Sequence, residues 1–315
     1  MGGLRLFAER SRACRSGGLV WMSVTAVLLS AAVTAGVQRP REAGRERAGF
    51  DVLRDIEYVP EGHERQKLDL YLPKETETKA SRPLIVWVHG GAWLAGSKDR
   101  CPAVRFTREG FAVASINYRL SQHATFPAQI QDCKAAIRWL RAHAGTYAYD
   151  PNRIGVWGAS AGGHLVAMLG TAGDVNDFDV GPNAGVSSRV QAVCDFFGPT
   201  DFTKMSSFPS TMDHDSPDSP ESKLIGGAIQ ENHDKARQAN PITYVTKDDP
   251  PFLIVHGDKD PLVPHNQSAL LHEALKNAGV EATFYTVAGG GHGGFQDPNV
   301  GPLVTKFFNK HLTKR

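Results

Sequence analysis

A serine hydroxyl attacks a carbonyl only when a base takes its proton, and that base needs a carboxylate to hold its tautomer. This 315-residue chain carries all three types in telling places. Ser160 is the middle of Gly158-Ala159-Ser160-Ala161-Gly162, a G-x-S-x-G pattern. The apolar Arg153-Ile154-Gly155-Val156-Trp157 before it reads as a strand, and Gly163–Leu169 after it reads as a helix. A sharp strand-to-helix turn would present the Ser160 hydroxyl at the sheet's edge, and small residues on either side let the backbones pass.

The acid has candidates on one loop. The apolar run Pro251–His256 leads into Gly257-Asp258-Lys259-Asp260-Pro261-Leu262-Val263-Pro264. Asp258 is placed to close an Asx turn beside Gly257. Asp260 lies further into the loop, stiffened by a Pro-x-x-Pro frame, and is favoured; Asp201, after the strand-like Ala192–Phe197 elsewhere in the chain, is a third option. For the base, His292 stands in Ala288-Gly289-Gly290-Gly291-His292-Gly293-Gly294-Phe295, after the strand-like Ala282–Val287. That glycine-rich loop gives it the freedom to reach a serine. His164 is expected to pack along its helix and His256 to bond locally.

Acyl transfer also needs N–H groups aimed at the oxyanion. The run Leu84–Val88 ends in His89-Gly90-Gly91-Ala92-Trp93, where small residues leave backbone donors accessible. Gly91, Ala92 and Ala161 are the expected donors. Trp93, Phe126, Phe202, Met205 and Leu262 are expected to line an apolar pocket of modest size.

The elements that would carry these residues form a pattern of their own. Val52–Tyr58 and Gln66–Leu72 read as a leading antiparallel pair at a sheet edge. Strands then alternate with helical segments at Cys101–Glu109, Phe126–Ala144, Ala161–Leu169, Ser268–Ala278 and Leu303–Leu312. This implies an α/β fold with a mostly parallel, twisted, eight-stranded sheet covered by helices on both faces. Ligands bind such sheets beyond the carboxyl ends of the strands, where all the motifs fall. Residues 203–240 interrupt the alternation with polar and proline-rich sequence and are read as a small cap insertion, with Lys223–Gln238 helical. Asp213-His214-Asp215 within it reads as a solvated turn rather than a metal site.

These motifs together resemble the α/β-hydrolase superfamily, whose triad runs Ser, Asp, His in chain order, here Ser160, Asp260, His292. The resemblance is to esterases with an HGG oxyanion loop and covers about residues 50–313. Asn117-Tyr118-Arg119-Leu120, Phe126-Pro127-Ala128 with Asp132, and His256 to Asp260 are similar to secreted bacterial esterases of the feruloyl-esterase-like or acetylxylan-esterase-like branch. That branch is related to prolyl-oligopeptidase-type domains. An extra glycine between His292 and Phe295 departs from the family's usual GHGF. The resemblance implies ester hydrolysis without a cofactor or metal, on a small-molecule or polysaccharide ester. A peptidase or amidase, and a non-catalytic binding protein on the same fold, are the rival readings.

Charge and targeting agree with an exported enzyme. Residues 1–49 hold eight Arg, no Lys and three Glu, whereas the chain's net charge is only +2, so residues 50–315 are net acidic. No basic stripe suits a nucleic-acid backbone. Arg5, Arg10, Arg12 and Arg15 precede the uncharged stretch Ser16–Gln38, which ends near the small residues Val33-Thr34-Ala35. Residues 1–35 are read as a signal peptide, directing the protein to the periplasm or outside the cell, with 36–49 a linker and 50–315 the catalytic domain. The 23 uncharged residues could also span a bilayer, so an uncleaved anchor is the alternative. Of the cysteines, Cys194 is expected to be a buried thiol, and Cys101 and Cys133 to pair as a disulfide.

Overall fold

The computed structural model describes residues 49–74 and 81–313. The expected signal peptide and nearly all of the linker lie outside the described residues. Eight strands form one sheet: β1 (Phe50–Glu57), β2 (Lys67–Pro73), β3 (Arg82–Val88), β4 (Ala112–Ile116), β5 (Tyr149–Ala159), β6 (Ala192–Phe196), β7 (Phe252–Gly257) and β8 (Ala282–Val287). Their order is β1-β2-β4-β3-β5-β6-β7-β8. β1, β2 and β4 pair antiparallel, and every later pairing is parallel.

The strands are apolar on both faces because both faces are covered. In β3, Leu84, Val86 and Val88 enter one core, and Ile85 and Trp87 enter the other. The helices α1 (Ala128–Ala142), α2 (Ala144–Tyr147), α3 (Ala161–Thr171) and α6 (Asn266–Asn277) contribute to the first core. α7 (Val300–Leu312) and the 3-10 helix Pro102–Glu109 contribute to the second. The segment between β6 and β7 holds two short helices, α4 (Pro220–Ile225) and α5 (His233–Ala239), with 3-10 turns at Phe202–Ser207, Ile229–Glu231 and Pro241–Tyr244. The single helix expected over Lys223–Gln238 is therefore split. Gly226 takes a left-handed φ of 71° and ends α4.

The expected Cys101–Cys133 disulfide is absent. Cys101, Cys133 and Cys194 are all free thiols. Cys133 is buried on α1 within the first core, while Cys101 packs against the second. The sheet stands between those cores, so helical position alone was a poor guide to proximity. Cys194 is buried as expected, and burial pushes its thiol well above the usual range.

Candidate active site

The register of the sheet brings the motifs together. β3 and β5 are parallel neighbours with Val88 opposite Gly158. The His89-Gly90-Gly91 loop and the Ser160 turn therefore leave the sheet side by side. Gly158 and Gly162 are required by this closeness. A Cβ on Gly158 would lie 2.2 Å from the Gly162 carbonyl oxygen, and one on Gly162 would lie 2.1 Å from that of Val88. Ser160 itself has φ 57° and ψ −123°, a conformation costing of order 1–3 kcal/mol that its surroundings must enforce. Its N–H donates to the Phe196 carbonyl at the end of β6 (2.8 Å), and its own carbonyl accepts from His164 (3.0 Å).

Asp260 and His292 arrive on the loops after the next parallel pair, where Gly257 of β7 lies opposite Val287 of β8. His292 Nδ1 donates to Asp260 Oδ2 (2.7 Å), and the Ser160 hydroxyl, 3.1 Å away, donates to His292 Nε2. The histidine is thus a proton acceptor on the serine side. The ring of Phe197, just past β6, lies against the imidazole with centroids 4.7 Å apart. Despite the extra glycine, the loop delivers His292 to both partners, with Gly293 and Gly294 both at positive φ.

Asp260 accepts four hydrogen bonds. Oδ1 takes the N–H groups of Leu262 (2.8 Å) and Val263 (3.0 Å), while Oδ2 takes His292 and His256 Nε2 (3.1 Å). Burial acts to raise its pKa, but the donors from His256 and His292 and the charge on His292 prevail and hold it well below the usual carboxylate range. Sequence reasoning expected only local bonding for His256. It is a second histidine on Asp260, steadied by Ser268 Oγ at its Nδ1 (2.8 Å). Its spacing of four residues from Asp260 was the available signal. Asp258 instead accepts from the Gly289 N–H (2.7 Å), tying the two loops together. Asp201 is occupied by Thr203 and Asn240.

Gly91, Ala92 and Ala161 line the same cavity as Ser160 and His292, about 400 Å³ in volume. Among the described residues no acceptor takes the N–H of Gly91 or Ala92. Ala161 opens α3, so its N–H has no intrahelical acceptor. The Gly91 carbonyl accepts from Leu94 and Ala95 (2.9 Å each), which fixes the loop.

Of the residues expected to line the pocket, Trp93 and Leu262 do. Phe126, Phe202 and Met205 do not. Phe202 and Met205 are fully buried in the first core, and Phe126 packs edge-on against Phe178. Their positions near loops were mistaken for positions at a site, when packing beneath the insertion claimed them. Trp93 is also largely buried. Its Nε1 donates to His164 Nδ1 (3.2 Å), whose Nε2 donates to the Ala239 carbonyl (2.6 Å). Burial lowers the His164 pKa to about 4, so the ring is neutral and bridges the His89–Trp93 loop, α3 and α5.

The cavity residues that sequence reasoning missed include Phe197, Met212, His214, Pro220 and Glu221. Phe197 directly follows a strand's carboxyl end, which was a usable signal. The others come from the insertion, where no periodicity marks a direction. His214, expected in a solvated turn, is only 1% exposed.

Comparison with known proteins agrees with this construction. The BD-FAE family model matches residues 68–275, about two thirds of the chain. The chain belongs to the BD-FAE family. This BD-FAE member is 32% identical over 262 residues to Esterase LipQ of Mycobacterium tuberculosis, an alignment covering 81% of this chain and 60% of that protein. The chain therefore spans less than two thirds of the length of that relative. Among solved structures, a truncated carbohydrate esterase from gut microbiota superposes with a TM-score of 0.79 at 38% identity, covering 86% of this chain and 100% of that one. A bifunctional GH43-CE from Bacteroides eggerthii gives 0.75 at 40% identity, covering 82% of this chain and 38% of that one. The fold is that of the α/β-hydrolase esterases.

Proposed function

We propose that this BD-FAE protein is a serine carboxylic-ester hydrolase for short-chain or aromatic acyl esters, including feruloyl or acetyl esters of plant polysaccharide. The observation that carries this reading is the hydrogen-bond chain Asp260–His292–Ser160 on the wall of a cavity flanked by uncommitted N–H groups. The esterase and carbohydrate-esterase names of the similar proteins support it.

In this reading His292 Nε2 takes the Ser160 proton as Oγ bonds to the ester carbonyl carbon. The oxygen that gains the electron pair is stabilised by the N–H groups of Gly91, Ala92 and Ala161. The imidazolium, held by Asp260, returns the proton to the departing alcohol as the C–O bond breaks. Water then repeats the sequence on the acyl-enzyme and releases the acid. No step requires a metal or a cofactor.

The cavity is small and mostly apolar, so acyl chains gain by burial only while they fit. The test is a panel of esters. p-Nitrophenyl acetate and butyrate and methyl ferulate should be turned over, with p-nitrophenyl palmitate poor and aminoacyl-p-nitroanilides untouched. Ser160→Ala should lower kcat/KM by at least about 10⁴-fold with the melting temperature unchanged. Faster cleavage of the anilides than of the esters would establish the peptidase reading instead. Export through residues 1–35 belongs to the same proposal, and the N-terminal sequence of the protein recovered outside the cytoplasm tests it.

A further inference from the structure

Two ionisable residues on the cavity wall have no part in the acyl transfer described above. Glu221, the second residue of α4, is 3% exposed, and His214 on the preceding loop is 1% exposed. Both line the cavity with Ser160 and His292. His214 Nε2 lies 3.0 Å from the Leu262 carbonyl, to which it donates, and 3.2 Å from Ser210 Oγ. The ring is thereby anchored to the loop that carries Asp260.

The other ring nitrogen, Nδ1, lies 3.2 Å from Glu221 Oε2. That is ion-pair distance, but neither atom has an aligned hydrogen-bond partner among the described residues. No donor among the described residues makes an aligned hydrogen bond to the Glu221 carboxylate. The neighbouring walls are apolar, formed by Phe197, Pro199, Met212, Pro220 and Val263. A carboxylate placed this way keeps most of its accepting capacity open to a donor that enters the cavity.

The charge of the pair decides what that donor is. Burial acts to lower the His214 pKa, but the adjacent Glu221 carboxylate prevails and raises it. Nε2 already gives its proton to the Leu262 carbonyl, so the ring faces the carboxylate with Nδ1, and a proton there would leave the pair neutral overall. An ammonium ligand would meet such an imidazolium as a like charge, whereas a hydroxyl carries no such penalty.

We propose that Glu221, braced by His214, accepts a hydrogen bond from a hydroxyl of the substrate and makes this cavity selective for hydroxyl-bearing esters. The proposal rests on the esterase reading. The hydroxyl can belong to a sugar on the alcohol side or to a phenol on the acyl side, and the same chemistry recognises both.

Matched pairs that delete the hydroxyl without adding bulk test it. Methyl ferulate is compared with methyl 3-methoxycinnamate, and a monoacetylated methyl xyloside with its dideoxy analogue. The wild-type enzyme should prefer the hydroxylated member of one pair by about 10- to 100-fold in kcat/KM, mostly through KM. The responding pair identifies the source. In Glu221→Leu that ratio should fall towards one, with Glu221→Gln intermediate. Equal wild-type efficiency on both members of both pairs would overturn the subsite whether or not the variants fold. So would variants that slow both members equally and leave the ratio unchanged, because that is the mark of a structural role. A wild-type protein that hydrolyses none of these esters, nor p-nitrophenyl acetate, would overturn the esterase reading and the subsite with it.

Discussion

The loops at the carboxyl ends of the strands and the insertion between β6 and β7 build the same cavity by different means. On the sheet side, backbone pairing decides position. Ser160 directly follows β5, Asp260 lies three residues beyond β7, and His292 lies five beyond β8. Ladder register fixes where each loop begins, so side chains far apart in sequence meet with little help from one another. The insertion has no ladder. Its turns are held by side chains bonded to nearby backbone. Asp201 accepts from Thr203, Asn240 accepts from the Phe202 N–H, and Ser219 accepts from the Ser222 N–H. Positions set by a repeating backbone tolerate many sequences, whereas positions set by individual side chains depend on each of them.

The largest expected effect separates two aspartates on one loop. Asp260→Asn should lower kcat/KM by about 10³- to 10⁴-fold, because the amide disfavours the tautomer that leaves His292 Nε2 free to accept. Asp258→Asn should cost less than about tenfold, since the amide oxygen can still accept from the Gly289 N–H and only the charge is lost. Equal losses in steady-state assays would mean that loop position, not the bond to His292, is what matters.

A smaller effect concerns a polar group that the sheet leaves poorly satisfied. Asp195 on β6 accepts the Gly198 N–H at Oδ1 (3.0 Å), but its buried Oδ2 has no partner among the described residues. Burial raises its pKa to about 7 against the opposing Gly198 hydrogen bond. The folded state therefore holds this proton more tightly than the unfolded chain, whose carboxylate titrates near about 3.9. Its contribution to stability is fully present below that value and is lost as pH rises through about 7. Asp195→Asn should remove this loss. The melting temperature of the variant relative to wild type should climb between about pH 4 and 7 and then level off. A gap independent of pH would show that the Asp195 pKa is not raised in the folded protein.

The smallest effect probes the insertion. Ser219→Ala removes the cap of α4 and should cost about 1 kcal/mol, read as a modest drop in melting temperature. Because α4 carries Pro220 and Glu221 into the cavity, KM should rise more than kcat falls. An unchanged KM would show that the insertion holds its shape without its individual caps.

The same contrast explains what could be read from the chain. The leading antiparallel pair, the parallel strands, the helices on both faces and the grouping of Ser160, Asp260 and His292 were legible. Apolar runs of strand length followed by glycine-rich turns carry that information. The pocket wall was legible only at Trp93 and Leu262, because Phe202 and Met205 look in sequence like Met212 and Phe197. Only packing tells which of them face the cavity. The disulfide expectation failed for a related reason, since which face of the sheet a helix covers depends on the direction of its crossover. His214 was hidden by its polar neighbours Asp213 and Asp215, whose sequence gives no sign that the imidazole between them turns inward.

The hydrogen bond between Ser160 and His292 closes a span of 132 residues. A chain synthesised from its N-terminus completes the serine's turn long before the strand that delivers its base exists. Until β8 docks on β7, the strained Ser160 backbone has no His292 to act with, and no fragment ending short of residue 292 holds all three groups. Loop-closure entropy over so long a separation also makes this contact among the costliest to form early in folding. In the proposed reaction, hydrolysis would thus wait for the last strand of the sheet, and a copy ending short of residue 292 would lack the base it needs.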